Sequence, residues 1–222
     1  MIIAIDGPSG AGKSTLAKRL ARELDFTYLD TGAMYRALAL KVLREGIDLA
    51  DDARLAELVG VTEIALQEQC GRLEVWLDGR DVTSEIRTPE VSQMASKVSA
   101  LRVVRERMLE LQRAMGRCGS VVAEGRDIGT VIFPAAEVKI FLDASIRERA
   151  RRRYDELKTA GRAVEFAETL REIEERDKRD SERDLAPLCK AEDALLIDSS
   201  SVNADEVAAM VLAEIQKKIK EN

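Results

Sequence analysis

The chain has 222 residues, 45% of them apolar, with net charge −6 and a sequence pI of about 5.1. That length suits one α/β domain with a small insert, and the acidic balance argues against a general binder of nucleic-acid polymers or membrane surfaces. There is no histidine, which removes Ser-His-Asp and Cys-His nucleophiles and most zinc hydrolases. Chemistry without imidazole leans on positioning and charge, as phosphoryl transfer does. No apolar stretch approaches the ~20 residues of a membrane span. The start, Met1-Ile2-Ile3, runs straight into a core strand and reads as carrying no signal peptide. Cys70, Cys118 and Cys189 are widely spaced, as expected of reduced cytoplasmic thiols.

In chain order, the first apolar run covers residues 2–5. Directly after Asp6 comes Gly7-Pro8-Ser9-Gly10-Ala11-Gly12-Lys13-Ser14-Thr15, the full G-x-x-x-x-G-K-[ST] pattern. A strand, a glycine-rich loop and a helix starting near Lys13 form a cradle of backbone N–H groups for phosphate. Lys13 is placed to reach the β- and γ-phosphates, and the Ser14 hydroxyl to ligate Mg²⁺. A helix follows, with Leu16, Leu20 and Leu24 on one face. A second strand is expected at 26–29, followed by Asp30-Thr31-Gly32-Ala33-Met34-Tyr35-Arg36.

Residues 61–86 break the alternation of strand and helix. Runs at 61–66 and 73–77 and an Asp78-Gly79-Arg80 turn signal an antiparallel β insert. Leu101, Val104, Met108, Leu111 and Met115 follow helical spacing. A third strand is expected at 120–124, followed by Gly125-Arg126-Asp127-Ile128-Gly129-Thr130, and a fourth at 138–142. Ser145 to Glu148 has the form of a capping box, and Gly161 suits a helix end. A fifth strand is expected at 194–198, and Asn203 with Glu206 suits the cap of a last helix. The whole reads as a three-layer α/β/α fold with a five-stranded parallel sheet, a small antiparallel β insert and a helical lid.

Sites in such folds collect at strand carboxyl ends. Arg36 and Arg126 follow two such ends and could form a fork on a monophosphate. They could equally be a surface helix charge and a local partner of Asp127. Arg147, Arg149, Arg151, Arg152 and Arg153 lie on one predicted helix, with Arg176, Arg179 and Arg183 on the next. Arg149 and Arg153 share a face, as do Arg176, Asp180 and Arg183. The run reads either as a lid that brings positive charge to a transferring phosphoryl group or as a solvated pair of charged helices. Guanine-reading, switch and transporter signatures are missing from the sequence, which points toward a small-molecule kinase and away from a nucleotide-dependent switch.

The chain resembles the bacterial cytidylate kinases from end to end. The resemblance rests on Ile5 to Lys13, Asp30 to Arg36, Ser84-Glu85-Ile86-Arg87-Thr88-Pro89-Glu90-Val91, Gly125 to Pro134, Lys139-Ile140-Phe141-Leu142-Asp143-Ala144-Ser145, and Glu175-Arg176-Asp177 through Arg183. It implies transfer from ATP, with Mg²⁺, to CMP or dCMP. It implies contacts from Thr31, Arg105, Asp127 and Arg183 to the cytosine, from Ser96, Arg176 and Asp180 to the pentose, and from Arg36 and Arg126 to the acceptor phosphate. Arg149 and Arg153 match lid arginines. Glu124 stands at a strand-end acid position that holds Mg²⁺ through water in related kinases, where Asp is often found. The expected catalytic set is Lys13, Arg36, Arg126, Arg149 and Arg153. The expected organisation is a core at 1–36, 97–146 and 184–222, a monophosphate-binding region with the β insert at 37–96, and a lid at 147–183. A cytoplasmic monomer is the expected state, with UMP or AMP as rival acceptors.

Overall fold

The computed structural model describes residues 1–69, 72–117 and 119–221, with side chains described through 218. In chain order the elements are β1 (Ile2–Asp6), α1 (Lys13–Leu24), β2 (Thr27–Asp30), α2 (Thr31–Glu45), α3 (Asp52–Val61), β3 (Ile64–Gln69), β4 (Arg72–Leu77), β5 (Arg80–Asp81), α4 (Pro89–Val98), α5 (Arg102–Gly116), β6 (Val121–Gly125), β7 (Val138–Asp143), α6 (Ile146–Thr159), α7 (Phe166–Glu182), β8 (Leu195–Asp198) and α8 (Ala204–Glu221). They group into two compact units: residues 1–28 with 119–222, and residues 29–118.

The first unit is built on a five-stranded sheet of order β2-β6-β1-β7-β8, and the boundary between units falls inside β2. β1 is central and pairs in parallel with β6 (Ile5 opposite Glu124) and with β7 (Ile5 opposite Ile140). β7 pairs in parallel with β8. Parallel strands covered on both faces need continuous apolar runs, and Ile3, Ala4, Ile5, Val122, Ala123 and Ile140 are buried to within 1% of completely. Each large aliphatic side chain so buried contributes about 1.5–3 kcal/mol. All five strands expected from the sequence are present, within one or two residues at their ends.

The helix ends follow the expected local chemistry. The Ser145 hydroxyl accepts from Glu148 N (3.3 Å) at the start of α6. That helix closes with Gly161 in the left-handed region (φ 74°), donating to Lys158 O (2.9 Å), and with Arg162 N donating to Leu157 O (3.0 Å). At α8, Asn203 Oδ1 accepts from Glu206 N (2.9 Å) and Glu206 Oε2 accepts from Asn203 N (2.8 Å), a reciprocal capping box.

The second unit holds α2 to α5 and an antiparallel sheet of order β3-β4-β5. Asp78 and Gly79 both have positive φ (49° and 77°) and join β4 to β5 in a two-residue turn, as an Asp-Gly hairpin requires. The insert differs from its sequence reading in two ways. It has a third strand, β5, and its first strand starts at Ile64, because residues 52–61 form α3 instead. Asp51 Oδ1 caps α3 by accepting from Arg54 N (3.1 Å). Among the described residues no helix is long and apolar enough to cross a membrane. Cys189 is free and exposed; Cys70 and Cys118 lie outside the described residues.

Candidate active site

The loop from Gly7 to Gly12 leaves the end of β1 and enters α1. Gly7, Gly10 and Gly12 have φ of 147°, 79° and 97°. A Cβ on Gly7 would lie 1.9 Å from Leu142 O, and one on Gly10 2.9 Å from Arg149 O. The loop is thus packed against β7 and α6 at a distance only glycine allows. Ser14 and Thr15 are exposed at the first turn of α1. Lys13 is buried and donates from Nζ to Pro8 O at 2.6 Å. Burial holds its ammonium pKa well below the ordinary lysine value. The charges of Arg126 and Arg176 add to this, while Glu124 and Asp6 act in the opposite sense.

Two arginines of α6 brace the loop from outside. Arg149 is buried and donates to Ser9 O (3.2 Å), to Ala144 O (2.8 Å) and to Asp177 (2.6 Å). Arg152 donates to Ser199 O (2.6 Å), to Ser199 Oγ (3.1 Å) and to Ala11 O (3.4 Å). Ser199 in turn donates from Oγ to Ala11 O (3.0 Å). Neutralising the outward carbonyls of the loop supports the inward aim of its N–H dipoles. Arg153 is turned along its own helix and pairs with Glu156 at 2.8 Å.

Asp6, the last residue of β1, accepts from Ile128 N and Gly129 N, both at 2.7 Å. Its carboxyl pKa is raised to about 6 by burial; the two N–H donors and Lys13 lower it, and Asp127 raises it. The segment it holds is a wide turn in which Phe133 N donates to Ile128 O (2.7 Å) and Ile132 N to Asp127 O (3.1 Å). Glu124, buried at the end of β6, accepts from the Tyr28 hydroxyl.

After β6 the charged side chains of the first unit interlock. Arg126 Nε donates to Asp180 Oδ2 at 2.9 Å, and Arg176 lies 3.9 Å from the same oxygen. Burial alone would raise the Asp180 pKa, but the guanidiniums of Arg126, Arg176 and Arg183 reverse this and hold it below the usual carboxylate range. Arg183 lies 3.5 Å from Asp127. Arg183 is not on the helix with Arg176 and Asp180, as spacing suggested. It is extended (φ −66°, ψ 141°) just past α7 and anchors on Ala186 O (2.8 Å).

In the second unit, Asp30 caps α2 by accepting from Ala33 N (2.8 Å) and holds Arg36 at 3.2 Å. Thr31 and Ser96 are buried. Arg105, near the start of α5, donates to Ser99 O (3.2 Å). The first unit thus brings together Lys13, Glu124, Arg126, Asp127, Arg149, Arg176, Asp180 and Arg183, while Thr31, Arg36, Ser96 and Arg105 belong to the second. Sequence reasoning gave no role to Asp6, Tyr28, Asp177 or Ser199, and it placed Arg152 only in the arginine run of the lid helix, not on the loop carbonyl of Ala11 and on Ser199. For Asp6 a signal was available, since a carboxylate ending an otherwise apolar buried strand needs a partner.

Central parallel strand, glycine-only phosphate loop, basic loop-end lysine and surrounding arginines define a nucleotide-binding α/β protein of the phosphate-loop class. The family model for cytidylate kinase matches residues 3–217. A cytidylate kinase of Pelotomaculum thermopropionicum is 54% identical over 96% of this chain and 95% of its own length. One of Syntrophotalea carbinolica is 51% identical over 98% and 93%. Among solved structures, an uncharacterized protein from Eubacterium ventriosum shares the fold, with TM-score 0.53, 17% identity and coverage of 97% of this chain and 98% of its own. The chain belongs to the cytidylate kinase family.

Proposed function

We propose that this chain transfers the γ-phosphoryl group of ATP to CMP or dCMP, giving ADP and CDP or dCDP. The observation that carries the reading is near-full-length identity of 54% to a cytidylate kinase. The acceptor's α-phosphate oxygen is already a nucleophile. It forms the new P–O bond to the γ-phosphorus as the bond to the β–γ bridging oxygen breaks, so no strong general base is needed. The chain's task is to align the two nucleotides and to stabilise charge.

ATP is assigned to Gly7, Pro8, Ser9, Gly10, Ala11, Gly12, Lys13, Ser14 and Thr15. Lys13 leaves Pro8 O for the phosphates. Arg36 and Arg126 hold the acceptor phosphate, and Arg153 brings charge to the transferring group from α6, while Arg149 keeps the loop in shape. Asp127 accepts from the exocyclic amine of cytosine, and Arg183, Arg105 and Thr31 complete base recognition. A uracil carbonyl facing Asp127 would oppose two acceptors, which disfavours UMP. Ser96, Arg176 and Asp180 serve the pentose.

The Ser14 hydroxyl and the Glu124 carboxylate suit Mg²⁺, a hard cation that takes one or two protein oxygens beside waters and substrate phosphates. The cation is assigned to enter with the nucleotide, held by its phosphates as well as by these two side chains. When bound, it would neutralise phosphate charge. The working division is a core at 1–36, 97–146 and 184–222, an acceptor region at 37–96 and a lid at 147–183, in a cytoplasmic monomer.

ADP release from ATP with each of CMP, dCMP, UMP, AMP and dTMP tests the reading. Stimulation by CMP and dCMP alone is expected. Stimulation by another monophosphate overturns the base pocket, and stimulation by none overturns the kinase.

A further inference from the structure

Glu124 carries a longer side chain than the aspartate that its proposed role most simply calls for. One added methylene adds a rotatable bond, and a carboxylate that must act on a cation from a strand end has to be fixed in one rotamer. Tyr28 lies on β2, the strand beside β6, and its hydroxyl donates to Glu124 Oε1. Both side chains are buried, Tyr28 with 6% and Glu124 with 5% of its surface exposed. Lys18 Nζ lies over the tyrosine ring, 5.8 Å from its centroid. A phenol is a neutral donor: it orients the carboxylate without cancelling its charge, as a lysine or arginine in the same place would. That charge reaches the loop, because Glu124 is among the groups that hold the proton on Lys13.

We propose that Tyr28 is a positioning residue that fixes the Glu124 carboxylate for the divalent cation entering with ATP. The inference rests on the reading of Glu124 given above. The Tyr28–Glu124 pair takes the place of a shorter acid, with the phenol supplying the rigidity that the extra methylene removes. Tyr28 touches neither substrate nor cation and acts through Glu124.

The test uses the full chain with Mn²⁺ as the probe, its affinity for the enzyme bound to a non-hydrolysable ATP analogue read by electron paramagnetic resonance. Tyr28→Phe, Glu124→Gln, Glu124→Asp and the double variant Tyr28→Phe/Glu124→Asp are compared with the parent, with thermal midpoints and KM for CMP measured alongside. Tyr28→Phe keeps the ring and is expected to weaken Mn²⁺ binding about tenfold, with KM for CMP unchanged. In the Glu124→Asp background, where the shorter carboxylate falls away from the phenol, Tyr28→Phe is expected to add less than about twofold. An unchanged Mn²⁺ affinity in Tyr28→Phe, or an equal loss in both backgrounds, overturns the proposal and leaves Tyr28 a packing residue. An unchanged affinity in Glu124→Gln instead overturns the reading of Glu124 and the positioning role with it. If Tyr28→Phe lowers the thermal midpoint strongly, the comparison of Glu124→Gln with Glu124→Asp still decides whether reach at this position sets cation affinity; equal losses in those two count against the proposal.

Discussion

Lys13 donates its ammonium to the Pro8 carbonyl, 2.6 Å away, so the lysine lies across the loop that it terminates. Burial and the neighbouring guanidinium of Arg126 hold its pKa well below the ordinary lysine value. A triphosphate in the loop places negative charge against that same ammonium and raises the pKa again. Nucleotide binding is therefore expected to draw a proton from solution wherever Lys13 is less protonated in the free chain than in the complex. Calorimetry of ATP binding in buffers of different ionisation enthalpy reads this directly. Lys13→Ala is expected to abolish the uptake and to cost at least about 100-fold in turnover while the thermal midpoint stays close to the parent's. Unchanged turnover in that variant removes the loop from the chemistry.

Gly7 has no room for a side chain, since a Cβ would meet Leu142 O at 1.9 Å with φ at 147°. Gly7→Ala is expected to cost more than about 4 kcal/mol, the size of a core steric failure, or to displace the loop and abolish ATP binding. Gly46 shares a positive φ, 61°, but has nothing within 4 Å of the position a Cβ would take. Gly46→Ala is expected to cost about 1 kcal/mol, the price of the conformation alone. Urea unfolding of the two variants checks the contrast, and equal losses would show that loop packing is not what requires Gly7.

Asp6 joins β1 to the turn after β6 by accepting from Ile128 N and Gly129 N. Its folded pKa is about 6, against an ordinary value of 3.8. A raised acid pKa means that the folded chain holds the proton more tightly than the unfolded chain. The contribution of Asp6 to stability is therefore greatest below the unfolded value and falls as pH rises through the folded one. The difference corresponds to about 3 kcal/mol as an order of magnitude. Asp6→Asn does not titrate. The stability of the parent relative to Asp6→Asn is expected to fall between about pH 4 and about pH 6.5 and to level off above that. Denaturant unfolding across that range measures it, and a flat difference would return Asp6 to an unshifted pKa.

Asp127 is buried and lies 3.5 Å from Arg183. In the proposed base pocket this carboxylate accepts from the exocyclic amine of cytosine. Asp127→Ala is expected to raise KM for CMP about 10- to 100-fold, with a change of less than about twofold in KM for ATP. Equal effects on both substrates would place Asp127 outside the base pocket.

What was legible in the sequence is what is written over short stretches. The loop from Gly7 to Thr15 is contiguous, so its pattern is readable in one stretch even though Gly7 and Gly10 also answer to the distant Leu142 and Arg149 backbones. The caps at Ser145 and Asn203 close within three residues, and the Asp78-Gly79 turn within two. The braces of the site join distant positions instead. Asp6 meets Ile128 and Gly129, Tyr28 meets Glu124, and Arg152 meets Ser199. No periodicity in one stretch announces a partner in another. Helical spacing also misplaced Arg183, because α7 ends one residue before it. α3 escaped notice because it buries only three residues, Leu55, Leu58 and Val59, and runs directly into the β runs that follow.

Arg152 and Arg153 are adjacent in sequence and opposite in use. Arg152 reaches Ser199 O at 2.6 Å, Ser199 Oγ at 3.1 Å and Ala11 O at 3.4 Å, tying the loop to the end of β8. Arg153 pairs with Glu156 across one turn of its own helix. Removing a brace of the loop disturbs the ground-state binding of ATP, whereas removing a charge that acts on the transferring group disturbs only the transition state. Arg152→Ala is therefore expected to raise the Kd for ATP about tenfold, the size of one or two charge-assisted hydrogen bonds. Arg153→Ala is expected to leave that Kd within about twofold and to lower kcat about 10- to 1,000-fold, as loss of a transition-state charge does. Calorimetry for binding and single-turnover kinetics for chemistry separate the two. A reversal of the pattern, with Kd moved by Arg153 and kcat by Arg152, would exchange the roles assigned to them.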